Sequence, residues 1–285
     1  MIDSVFVKLQ DSAKILVERL EGGGLNFVSA SLTDEPSIEA EPPDPDRMRD
    51  DVIFSDGRHE CCNVERSYEP YIEVGPPLYA DEESVFVYFL DGSLQTCYWG
   101  DIIAQGYSYP VVASQMAVGV VSRDGKALKS VALEYRFFAI FPFTESYPVW
   151  SDLVSVPSFL EPVCLERDPG PSRDLRSVLA GKARERLHHI EAELASILAR
   201  ADDGWLVIDG DLRDRRFQKI PNVIGLAKSF SLRPVVTLRE MAKTYNLPRL
   251  LRELPVGWRT PVLVQQKGDY RDLVFWYLRL WVSVK

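Results

Sequence analysis

Apolar residues along this chain switch between two spacings, one helical and one nearly continuous, and the switches outline its architecture. Val5, Phe6, Leu9, Ala13, Ile15, Leu16, Val17 and Leu20 recur every three or four positions before Gly22-Gly23-Gly24, which predicts a helix over residues 5–20, read as a docking helix. Leu25 to Glu83 is acidic and proline-rich, including Glu41-Pro42-Pro43-Asp44-Pro45-Asp46, and predicts an extended excursion rather than a packed unit. Four strand-like runs follow, at Val85–Leu90, Gln95–Gln105, Val111–Ser122 and Ala127–Phe141, rich in Val, Ile, Tyr and Phe and joined by short turns. They predict an antiparallel meander. A proline-bearing connection then leads to a long helix ending near Ala201, with Ser172 as the expected N-cap and Asp174 placing negative charge in the first turn. Asp202-Asp203-Gly204 stops that helix and the apolar run Trp205–Asp209 begins at once, so this strand can lie parallel to the first. The expected fold is α/β, a mixed sheet of meander plus parallel strand flanked by helices. An N-terminal extension occupies residues 1–84 and the main domain residues 85–285.

Two of these runs end alike. Val85 to Leu90 meets Asp91-Gly92, and Trp205 to Ile208 meets Asp209-Gly210, so each places a carboxylate where a buried strand leaves the core. Carboxylates held close together repel unless a divalent cation lies between them, and neighbouring strand ends of this kind suit Mg²⁺ or Mn²⁺. Asp-Gly is also a common hairpin turn. Asp124-Gly125, preceded by polar residues and followed by a returning apolar stretch, is read as a plain turn, while for Asp91 both readings stay open. The preceding helix offers a third carboxylate. At about 100° per residue, Ala183, Leu187, Leu194, Ile197 and Ala201 cluster with Ile190, Glu191 and Glu193 flank that stripe, and Glu185 points away. His188 and His189 fall mostly outward.

Composition narrows the classes. The 285 residues are 46% hydrophobic, enough for a sizeable core, and the formal charge of −9 argues against a general nucleic-acid coat without excluding an enzyme with a basic groove. Cys61, Cys62, Cys97 and Cys164 have no Cys-x-x-Cys spacing, and with three histidines they make no credible zinc set, His59-Glu60-Cys61-Cys62 included. No run is long enough for a membrane helix and the start lacks a basic signal region, so a cytoplasmic protein without membrane attachment is expected.

Leu90-Asp91-Gly92-Ser93, the glutamate-bearing helix, Val207-Ile208-Asp209-Gly210, Val223-Ile224-Gly225-Leu226-Ala227-Lys228-Ser229 and Phe275-Trp276-Tyr277-Leu278-Arg279-Leu280, in this order, resemble the NurA nuclease family over roughly residues 85–285. The resemblance implies an RNase H-like core and a Mn²⁺-dependent (or Mg²⁺-dependent) nuclease acting on DNA ends. It also implies a homodimer and a HerA-type hexameric ATPase as partner, in DNA repair or phage defence. Residue by residue, it assigns Asp91 and Asp209 as catalytic metal ligands and Glu191 as the helix ligand, with Glu193 as runner-up. Lys228 takes the lysine position of the Gly-x-x-Lys-Ser segment, and Tyr277 and Arg279 the aromatic-basic strand.

In that chemistry the three carboxylates hold one or two divalent ions that activate water for in-line attack at phosphorus. Lys228 would neutralise a phosphate, and Arg279 or the Arg213, Arg215, Arg216 cluster would hold the DNA strand, unless Arg215 and Arg216 merely belong to a solvated loop. The family pattern includes a further acidic or histidine ligand beyond the last strand. This sequence ends at Lys285, and Asp269 and Asp272 are poor substitutes by position. The alternative expectation is therefore a catalytically weakened interaction subunit. A third reading is an unrelated α/β binding protein in which both Asp-Gly pairs are turns.

Overall fold

The computed structural model describes residues 2–30, 60–75, 85–155, 157–168, 174–201, 204–210, 212, 216–227, 235–265 and 274–280. Helix α1 (Ile2–Gly22) opens the chain, followed by the short strands β1 (Asn26–Ser29), β2 (Glu60–Asn63) and β3 (Ile72–Glu73). Three long strands come next: β4 (Phe86–Ala104), β5 (Tyr107–Asp124) and β6 (Ala127–Thr144). Then follow α2 (Trp150–Val154), β7 (Glu161–Leu165), α3 (Leu175–Ala201), β8 (Trp205–Asp209) and β9 (Val223–Leu226). The last elements are β10 (Val235–Leu238), β11 (Lys243–Asn246), α4 (Leu247–Glu253), β12 (Trp258–Arg259), β13 (Leu263–Gln265) and β14 (Val274–Phe275). Among the described residues no helix is long and apolar enough to cross a membrane.

The larger sheet has the order β7-β6-β5-β4-β8-β9, with β1 also pairing β4. β4, β5 and β6 form the expected antiparallel meander, and β8 lies parallel to β4, which makes the sheet mixed. One expectation is corrected. The runs Val85–Leu90 and Gln95–Gln105 are a single strand of 19 residues, in which Asp91 pairs with Gly119 and Gly92 with Val118. Ser93, Gln95 and Cys97 are exposed while Leu94, Thr96 and Tyr98 are half-buried. That period of two belongs to a strand with one open face, so the polar residues mark that face rather than a turn. Asp124-Gly125, by contrast, does turn the chain between β5 and β6, with Gly125 at φ +59°.

Each face of this sheet carries its own core. On one, α3 packs Leu179, Ala183, Leu187, Ile190 and Leu194 against Leu90, Val118, Val120, Phe138, Ile140 and Ile208. Each of the larger of these side chains, Leu, Ile, Val or Phe, contributes about 1.5–3 kcal/mol on full burial. Ile197 is exposed, and the buried stripe passes instead through Ala195 and partly buried Leu198. The N-cap is Asp174, whose carboxylate accepts the Arg176 N–H at 3.1 Å and the Ser177 hydroxyl at 2.6 Å. Ser172 lies outside the described residues. On the other face, Leu16 and Leu20 of α1 and Leu153 of α2 bury against Val111, Ile102, Ala139 and Phe141. The inner half of α1 therefore belongs to this chain's own core rather than to a docking surface, although Phe6 and Val7 are exposed. A bulge between Tyr98 and Gly100 lets β4 serve both cores, and at Gly100 a Cβ would overlap the Val28 carbonyl of the crossing β1.

A second sheet, of order β11-β10-β2-β13-β14, surrounds Cys61, Val236, Leu238, Leu247, Leu250 and Leu263. Its central strand β2 comes from the stretch expected to be an unpacked excursion, and so that expectation is corrected for residues 60–63, as it is for β1. Partners more than 170 positions away supply the burial that Glu60-Cys61-Cys62-Asn63 could not find locally. Asn63 fixes the junction by accepting the Arg239 N–H at 2.8 Å and donating to the Glu65 carbonyl at 2.8 Å. Cys61 and Cys62 are free and buried, and burial, with Cys62 alongside, pushes the Cys61 thiol up to about 11.

Candidate functional site

β4 and β8 run side by side in register, Phe89 beside Val207 and Leu90 beside Ile208, which brings Asp91 and Asp209 next to each other one residue further on. Leu90 and Ile208 point into the α3 core. By strand alternation the two aspartates point to the opposite face. There they line an open groove of about 550 Å³, floored by small and apolar residues including Ser93, Ala117, Gly119, Val121 and Val207. Asp91 is exposed and Asp209 half-buried. Leu133 and Tyr135, at 55% and 57% exposure, are paired in register with Gly119 and Ala117 and extend this uncovered surface.

Glu191 reaches the same position of β4 from the other side. It is 5% exposed on α3, and a Cβ at Gly92 would overlap its Oε1 and come within 3.1 Å of Leu187 Cδ1. Only glycine lets the helix carboxylate lie against the strand at this point. Its Oε2 accepts from His188 Nδ1 at 2.8 Å, which satisfies a buried carboxyl oxygen. β8 stops at Asp209 and β1 does not pair with β4 before Gly100, so among the described residues this edge of β4 has no partner strand from Asp91 to Tyr98. Glu191 therefore sits beside a gap in the sheet, with the aspartate pair on the far face at the gap's margin.

The remaining candidates are dispersed. Glu193 is 62% exposed and pairs with His189 Nε2 at 3.0 Å, away from Gly92. Arg216 donates to His189 Nδ1 at 2.6 Å, which ties the segment after β8 to α3. The two histidines, expected merely to face outward, are half-exposed but each engages a glutamate, and the i,i+3 spacing of His188 and Glu191 was the signal for it. Tyr277 and Arg279 lie far from the aspartates, in a segment whose backbone bonds to Trp258 and Thr260 around β12. Tyr277 packs on the core of the second sheet, where burial raises the phenol, and Arg279 donates to the Leu254 carbonyl at 2.8 Å at the end of α4. Lys228, Arg213, Arg215, Asp269 and Asp272 lie outside the described residues.

Asp91, Asp209 and Glu191 offer oxygen donors only, a chemistry that would suit a hard divalent cation rather than zinc or copper. The in-register aspartate pair fits such an ion, and the glycine cradle brings Glu191 to the next position of β4 from the α3 side. As they stand, no three acidic, histidine or cysteine residues among those described are close enough together to enclose an ion. In the comparisons with known proteins, the family model described as the NurA domain matches residues 86–284, from the first residue of β4 onward. No curated protein matches the chain.

Proposed function

The chain belongs to the NurA family, a family of nucleases, and from that premise we propose that it is a Mn²⁺- or Mg²⁺-dependent DNA nuclease acting at DNA ends. In this reading it works as a homodimer with a HerA-type hexameric ATPase, in repair or phage defence. The observation that carries the reading is the pair of aspartates, Asp91 and Asp209, on adjacent parallel strands, with the Glu191 carboxylate against the next residue of β4, Gly92, on the α3 side.

Asp91, Asp209 and Glu191 would hold the cation, which when bound activates a water for in-line attack at phosphorus and stabilises the departing oxygen. The chain's own contribution is rigidity. Asp91 is locked mid-strand by ladders to β5, Asp209 ends a strand paired on both sides, and Glu191 is fixed by His188 and the Gly92 cradle. Carboxylates held on such elements need little rearrangement as charge develops. The open face beside Asp91 and Asp209 gives a DNA strand access from the side away from α3. Lys228 and Arg215 would contribute positive charge to the phosphates, which the acidic chain needs locally, whereas Arg216 is held by His189 on the α3 side.

A Mn²⁺-dependent cleavage assay on linear single-stranded and duplex DNA, with and without the ATPase, tests this directly. Wild type should cleave and Asp91→Ala should not. A second reading, an interaction subunit with weakened turnover, is favoured by the separation of the three carboxylates among the described residues. It predicts Mn²⁺ binding and ATPase binding with no cleavage under any of these conditions.

A further inference from the structure

We propose that His188 is a positioning residue for Glu191, holding one carboxylate oxygen so that the other is delivered over Gly92 toward the gap in the sheet. This rests on the metal-dependent nuclease reading and assigns a role to a residue that does not itself touch the metal. Glu191 has three rotatable side-chain bonds and is almost fully buried between Leu187 and Leu194, so its carboxylate needs a partner both to offset desolvation and to select one direction. His188, one turn back on the same helix, supplies that partner through Nδ1 at 2.8 Å. Gly92 closes the other side, since its missing Cβ leaves the space that Oε1 occupies. The carboxylate is thus gripped between an imidazole N–H and strand backbone.

The neighbouring pair acts as a built-in control. His189 and Glu193 are also bonded, at 3.0 Å, but Glu193 is 62% exposed and His189 is engaged by Arg216. Exposed pairs of this kind contribute little, whereas outer-shell donors to a metal-holding carboxylate change metal affinity or activity by about 10–100-fold. Two adjacent histidines on one helix therefore have different consequences, decided by the burial of the glutamate each one meets.

The experiment is a Mn²⁺ titration of the full chain, read by calorimetry and, on the same samples, by DNA cleavage and thermal melting. His188→Ala should weaken Mn²⁺ half-saturation by roughly 10- to 100-fold in both binding and cleavage, with the rate at saturating Mn²⁺ largely recovered and melting unchanged. His188→Asn, whose amide can donate from nearly the same place, should restore most of the affinity, and His189→Ala should titrate as wild type. Identical titrations for wild type, His188→Ala and His188→Asn, with Glu191→Gln impaired, would overturn the positioning role and leave the nuclease reading intact. If Glu191→Gln also behaves as wild type while Asp91→Ala is inactive, Glu191 is no ligand and the proposal fails with it. If Asp91→Ala still binds and cleaves, the nuclease site itself lies elsewhere.

Discussion

The two faces of the large sheet are built to opposite ends. Under α3 the face is closed, with Leu90, Val118, Val120, Phe138, Ile140 and Ile208 all at or below 2% exposure. Among the described residues the other face is closed only at its far end, where α1 and α2 cover it, and near Asp91 and Asp209 it stands open, with Leu133 and Tyr135 more than half exposed. The same strands thus place stabilising residues at even positions of β4 and chemically useful ones at odd positions. Around Asp91 one face holds the fold and the other presents the aspartates, while the second core lies beyond the bulge at Tyr98. Gly92 is where the division breaks down, because Glu191 crosses to the strand from the closed side.

Substitutions that respect this division should separate activity from stability. The largest effect falls on the open face: Asp91→Ala or Asp209→Ala should abolish Mn²⁺-dependent cleavage while leaving the melting temperature nearly unchanged, since neither opens a core cavity. Unfolding of either variant at the wild-type cleavage temperature would show that the aspartates hold the sheet together. At Gly92, Gly92→Ala should push the Glu191 carboxylate out of its place beside the strand and lower cleavage by about 10²-fold, at a smaller cost in stability than a backbone clash because the overlapping atom is a side-chain tip. On the closed face the pattern inverts. Leu90→Ala, one residue from Asp91, should destabilise by about 2–5 kcal/mol in denaturant titration yet leave the activity of the folded fraction in place.

The smallest effect is at the start of the helix that carries Glu191. Asp174→Ala removes the N-cap and should cost about 1 kcal/mol. The Ser177 hydroxyl first, then backbone N–H groups, hold the Asp174 carboxyl below its ordinary range. A depressed carboxylate contributes stability that is complete above its unfolded value and is lost as pH falls through its folded one. The gap in stability between wild type and Asp174→Ala should therefore narrow on acidification below the usual aspartate range, and a gap that widens would assign the cap elsewhere.

How much of this was legible beforehand differs by region for physical reasons. The parallel approach of β8 to β4 followed from unbroken apolar runs and the helix between them, because strands buried among neighbours carry a strong signal. The continuation of β4 past Asp91 did not. Ser93 and Gln95 look like the polar residues of a turn, and only the partner strand β5 distinguishes an open sheet face from a loop. β2 was hidden altogether, since four residues carry no readable period and its burial comes from β10 and β13, far along the chain. Glu191 could be placed at the edge of the helical stripe, but its grip by His188 and Gly92 depends on how α3 sits on the sheet.

Whether carboxylates from both faces serve one ion is measured most directly by calorimetric titration of Mn²⁺ into wild type, Asp91→Asn, Asp209→Asn and Glu191→Gln. The prediction is saturable binding in wild type that is lost or strongly weakened in all three variants, each still folded by circular dichroism. Loss in the two aspartate variants with wild-type binding in Glu191→Gln would confine the site to the open face and contradict the convergence at Gly92.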